Sequence, residues 1–149
     1  MPLQLPIAPE VQVGLPRLAS GDRLDRQEFE RRYTADRTIT HAELIEGVVY
    51  VASPLRVRAH AEPHGRLMAW LGLYYMARPG LILANNATLI LDDRNEVQPD
   101  AMLFDPQGGQ AIVTEDDYVS GAPELVTEVA GSSTAIDLHT KKTLYERFG

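Results

Sequence analysis

Two carboxylates stand inside segments that are otherwise apolar and rich in strand-forming residues. Asp100 follows Pro99 in QPDAMLFD, and Glu128 lies within ELVTEVA. A carboxylate in such a setting is costly to bury unless something pairs with it. Strand alternation gives each one a route to solvent, because successive side chains point to opposite faces. Two of them on consecutive strands that can be neighbours shift the balance, since like charges repel and a cation between them relieves the repulsion. Oxygen donors with open positions suit Mg²⁺ or Mn²⁺.

A third element lies on the last helical stretch, TAIDLHTKKTLYERFG, where Asp137, Lys141 and Tyr145 recur at four-residue steps and share one face. The helix begins just after the Glu128 segment, so its first turns stay near the end of that strand. An ammonium there can orient a water or stabilise phosphate charge. The plainer reading of the same spacing is an Asp137–Lys141 surface pair with Tyr145 packing beside it. Lys142, one position round the helix, is expected to be solvated.

Other chemistries find no support. There is no Gly-rich phosphate loop and no G-x-S-x-G elbow, and His41, His60, His64 and His139 show no H-E-x-x-H spacing. Cysteine is absent, which removes disulfides, thiolate–zinc sites and thiol nucleophiles together and suits a reducing cytoplasm. The net charge of -7 is the wrong sign for gripping nucleic acid through a broad basic face. No apolar run reaches the roughly 18 residues that a bilayer span needs. The N-terminus lacks the basic start and apolar stretch of a signal peptide, so a cytoplasmic chain is expected.

The elements that must position these residues follow from pattern and punctuation. Residues 1 to about 20 carry four prolines and read as an extended or disordered arm before a single domain over 21–149. DRLDRQEFERRYTAD predicts a short charged helix with Leu24, Phe29 and Tyr33 as its apolar points. ELIEGVVYVASP predicts a hairpin about Glu46-Gly47. HGRLMAWLGLYYMA is apolar nearly all round and predicts a helix buried on more than one side. LILA and ATLILDD predict a meander, and QPDAMLFD a further strand with Pro99 at its start. Ser133 or Thr134 is expected to cap the last helix, with Asp137 completing the box. An α/β domain normally returns to its sheet after such a helix, so a closing strand is expected to be missing at the C-terminus. The exposed sheet edge that this leaves is expected either to pair in a homodimer or to make the chain less stable than one extended past Gly149.

With these residues in view, the chain resembles the Uma-two family of PD-(D/E)XK nuclease-like proteins. ELIEG, NNATLILDDRNEVQPDAMLFD and PELVTEVAGSSTAIDLHTKKTLYERFG carry the resemblance, over roughly residues 40 to 149. It implies an α/β fold, a mixed central β-sheet flanked by helices with a restriction-endonuclease-like core. It implies Asp100 and Glu128 as metal ligands, Glu43 as the upstream acidic ligand and Lys141 as the catalytic lysine. His64 resembles the histidine that opens the helix behind the site, a candidate for proton transfer or for packing, and His60 is a weaker match. Where the wider superfamily carries lysine, two positions after Glu128, this chain has Ala130. The implied activity is Mg²⁺- or Mn²⁺-dependent hydrolysis of phosphodiesters in nucleic acid, most readily DNA. The rival is the same fold retained only for binding nucleic acid or protein. If Glu43, Asp100 and Glu128 converge without metal, Asp100→Asn is expected to raise the melting temperature by relieving repulsion.

Overall fold

The computed structural model describes residues 14–131 and 136–149. Helix α1 (Arg26–Ala35) starts where Asp25 accepts a hydrogen bond from the Glu28 N–H, which satisfies one of the free donors at a helix start. Its Phe29 is fully buried and packs with Leu18, Ala42, Leu44 and Val49.

Strands β1 (Ala42–Ile45) and β2 (Val48–Val51) form the expected hairpin. Glu46 and Gly47 both have positive φ, 53° and 75°, the backbone of a type I′ turn whose twist matches the strands. A wide helical turn over Val57–Ala61 leads into α2 (Glu62–Met76). Then come β3 (Ile82–Ala84), β4 (Leu89–Asp92), β5 (Asn95–Val97) and β6 (Ala101–Phe104). Short strands β7 (Ile112–Val113), β8 (Val119–Ser120) and β9 (Leu125–Thr127) follow. A second wide turn, Ile136–Lys141, runs into α3 (Lys142–Phe148).

Six strands form one mixed sheet in the order β2-β1-β5-β4-β8-β7, in which only β4 and β8 run parallel. A second, antiparallel sheet has the order β3-β6-β9. The segment Gln98-Pro99-Asp100 carries the chain from one sheet to the other, and Pro99, with no N–H to lose, suits that crossing. The main core lies between the sheets and α3, built from Ile45, Leu89, Val97, Met102, Phe104, Val119 and Leu144.

Two sequence expectations are corrected. Leu81–Ala84 and 87–93 do not pair as a meander. Asn86, at a φ of 49°, turns the chain so that its N–H meets the Pro99 carbonyl. β4 then finds its partner across the tight Asp92–Asn95 turn, in β5, a strand hidden by its polar Asn-Glu start. Nor is α2 buried on more than one side. Of its side chains only Leu71 is fully buried, while Trp70, Leu73 and Met76 are 67%, 71% and 76% exposed. Its composition states what could be buried; the small second sheet offers a surface for one face only.

Glu96 on β5 is 2% exposed and faces α1, where its neighbours are Arg26 at 3.7 Å and Glu30. Burial first, then the hydrogen bond and charge of Glu30, push its carboxyl from 4.5 up to about 9 against the pull of Arg26. The folded chain thus keeps a proton between pH 4.5 and about 9 that the unfolded chain has released, so stability falls as pH rises through that window. Glu96→Gln carries the hydrogen-bond donor without needing a proton. It should melt later than wild type at pH 8, by on the order of 1–3 kcal/mol, and match it near pH 4.5. Thermal scans of both proteins across that range check this.

Candidate active site

β6 and β9 pair with Ala101 opposite Thr127. Asp100 directly precedes β6 and Glu128 directly follows β9, so this antiparallel pairing brings both to the same end of the sheet. The third carboxylate, Glu43, comes from β1 in the other sheet, and its Oε1 accepts the Gln98 N–H at 2.7 Å. That bond ties β1 to the crossing segment, two residues before Asp100.

Lys141, 4% exposed, reaches in from the last turn before α3. Its Nζ stands 2.8 Å from Glu43 Oε1 and 3.0 Å from Glu128 Oε1. Tyr145, one turn on, donates its hydroxyl to the same Glu128 oxygen at 2.7 Å. The four-residue spacing therefore places both groups on Glu128. Lys142 points away and pairs with Glu146 at 3.7 Å, both largely exposed. The capping pair Ser133 or Thr134 lies outside the described residues, as does the side chain of Asp137.

Asp100 is held differently. Its Oδ2 accepts the Val129 N–H at 2.6 Å, and its Oδ1 lies 3.0 Å from Nε2 of His60. His64 does not touch the carboxylate: its Nε2 is 2.8 Å from the Asp100 backbone carbonyl. The two imidazoles are neighbours, with ring centroids 5.7 Å apart. His41, beside Glu43 in sequence, completes the histidines around the cluster, and burial holds it below its ordinary value against the pull of Glu43. The full part of His60 does not emerge from sequence spacing, because its contact with Val129 joins the turn before α2 to the residues just past β9, 69 positions on.

The charges explain the protonation pattern. One ammonium stands between two buried carboxylates, so it cannot neutralise both. Burial pushes Glu128 up from 4.5 to about 7, against Lys141 and Tyr145, which favour its charged form. Burial alone would depress Lys141, but Glu43 and then Glu128 outweigh it and hold the ammonium above its ordinary value.

Lys141 thus offsets only part of the carboxylate charge, and among the described residues no three His, Asp or Glu side chains stand so as to hold one ion together. The donor chemistry nonetheless fits a hard divalent cation. Two carboxylates, Glu43 and Glu128, flank one buried ammonium from the two sheets, and a third, Asp100, faces His60, whose buried Nε2 has no hydrogen-bond partner.

A mixed sheet flanked by helices, beside a second sheet with an acidic residue at the ends of its adjacent strands β6 and β9, and a lysine from the helix that follows, is consistent with a restriction-endonuclease-like fold. The family model described as "Putative restriction endonuclease", Uma2, matches residues 26–149. The chain belongs to this family. No curated protein matches it. No helix among the described residues is long and apolar enough to cross a membrane.

Proposed function

We propose that this chain is a divalent-metal-dependent endonuclease that hydrolyses phosphodiester bonds in DNA. The observation that carries the reading is the buried Glu43–Lys141–Glu128 cluster beside Asp100, since a fold does not need three carboxylates and a lysine gathered at the join of its two sheets. Asp100, Glu128 and Glu43 are the residues that would hold Mg²⁺ or Mn²⁺. Such an ion, when bound, supplies a Lewis acid that neutralises phosphate charge and acidifies water.

The chain's own groups do the rest. Lys141 keeps its proton and directs it at the attacking water or at a phosphate oxygen, where negative charge grows in the transition state. Tyr145 and Lys141 both bond Glu128 Oε1 and so fix the orientation of this carboxylate. His64 fixes the Asp100 backbone and acts as a positioning residue. Arg56 and Arg58 lie exposed on the segment leading to His60 and supply local positive charge that the total of -7 conceals.

Incubation of supercoiled DNA with the protein and Mg²⁺ or Mn²⁺ tests the reading. Nicking that stops with chelator, and is lost in Asp100→Ala, is the expected result. Metal binding without cleavage of DNA or RNA would favour the rival, a nuclease fold kept for binding. The internal pairing of Lys141 with both glutamates and the acidic total are the features that speak for it.

A further inference from the structure

His60 shows a mismatch between its surroundings and its bonding. Its Nδ1 lies 3.3 Å from the Val129 carbonyl oxygen, which can only accept, so the tautomer with its N–H on Nδ1 satisfies that contact. The other nitrogen, Nε2, is then turned to Asp100 Oδ1 at 3.0 Å. The two are close but not aligned as a hydrogen bond, and Nε2 is a buried atom with no hydrogen-bond partner. Asp100 is meanwhile fixed through its other oxygen by the Val129 N–H. Val129 therefore sets both side chains, one through its N–H and one through its carbonyl.

This is the arrangement of a chelating pair. Two donors at right angles on one octahedral ion, each about 2.1 Å from it, stand roughly 3 Å apart. An imidazole that ligates a metal usually donates its second ring nitrogen to a carbonyl or carboxylate, which fixes the tautomer and aims the free lone pair. Both conditions are met here.

We propose that His60 Nε2 is a metal ligand alongside Asp100, so that the site has a nitrogen donor and selects Mn²⁺ or a similar transition ion over Mg²⁺. Imidazole nitrogen suits first-row transition ions, whereas Mg²⁺ prefers oxygen throughout. The proposal rests on the metal-site reading above and adds to it a residue and an ion preference. His64 and His41 take no part as ligands, since His64 spends its Nε2 on a backbone carbonyl.

Pulsed electron paramagnetic resonance of Mn²⁺ bound to the full chain tests it. The expected spectrum shows modulation from a directly bound ¹⁴N nucleus, replaced by the ¹⁵N pattern when histidine alone is ¹⁵N-labelled. That experiment uses no substitution and so does not depend on a variant folding. His60→Gln should abolish the modulation and weaken Mn²⁺ binding by roughly tenfold or more, with a smaller change for Mg²⁺. His64→Gln and His41→Gln should keep the modulation. Bound Mn²⁺ with no nitrogen modulation overturns the role of His60 and leaves the carboxylate site standing. No Mn²⁺ binding at all overturns both. Nitrogen modulation in a protein that cleaves neither DNA nor RNA upholds His60 and overturns the nuclease reading instead.

Discussion

Lys141→Ala should be the most damaging single change in this protein, costing about 3–5 kcal/mol of stability and abolishing cleavage. The residue is 4% exposed and stands within 3.0 Å of both Glu43 and Glu128. Without the ammonium, two carboxylates remain in a site with little water, and one must take up a proton or the helix must open. Lys141→Met keeps most of the aliphatic stem and should lose nearly as much, because charge and not packing is what is removed. Stability should return when Lys141→Met is combined with Glu43→Gln and Glu128→Gln, since neutral groups of similar volume remove the repulsion. Metal affinity of Lys141→Ala should hold or rise, because the ammonium no longer competes for the carboxylates. Calorimetric melting decides it. A Lys141→Ala protein that melts with the wild type would mean that this cluster is not a buried ion network.

Asp100→Asn should melt earlier than wild type without metal and respond to Mn²⁺ hardly at all. Repulsion among the carboxylates, as read from the sequence, calls for the opposite sign in the first measurement. The structure reverses it by placing the Val129 N–H 2.6 Å from one Asp100 oxygen and the His60 ring beside the other. An amide oxygen accepts the Val129 N–H less strongly than a carboxylate does. Hydrogen bonds to charged groups contribute about 1.5–3 kcal/mol, which sets the expected loss. Excess Mn²⁺ at about a hundred times its dissociation constant should stabilise the wild type by about 2.7 kcal/mol. Asp100→Asn should gain almost none of this and lose at least about 10²-fold in cleavage. A later-melting Asp100→Asn would restore the strained-cluster picture.

The difference between these two residues shows what sequence could and could not reveal. Lys141 and Tyr145 lie four apart on one helix, and local spacing suffices to put both on Glu128. The hairpin about Glu46-Gly47 is equally local, since two residues fix its turn. Asp100 and Glu128 as a pair follow from two strand patterns and one antiparallel register. The environment of Asp100 has no such local signature. His60 and Val129 meet it from segments 69 residues apart, and nothing in RAHAEPH distinguishes the histidine that faces the carboxylate from the one that faces the backbone. β5 escaped notice for a related reason. Asn95 and Glu96 are buried polar residues, the first hydrogen-bonded to Glu46 and Asp92 and the second facing Arg26, so the strand lacks the apolar alternation that would announce it.

The outward face of α2 determines how folding of this protein can be observed. Trp70 is the sole tryptophan, and at 67% exposure its indole already stands in water in the native chain. Its emission should be long in wavelength when folded and shift little on denaturation. A small neutral quencher such as acrylamide should reach it nearly as well before unfolding as after. Indole fluorescence is thus nearly blind to the cooperative transition, while Tyr33 and Tyr145, packed against the two cores, carry the signal of its loss.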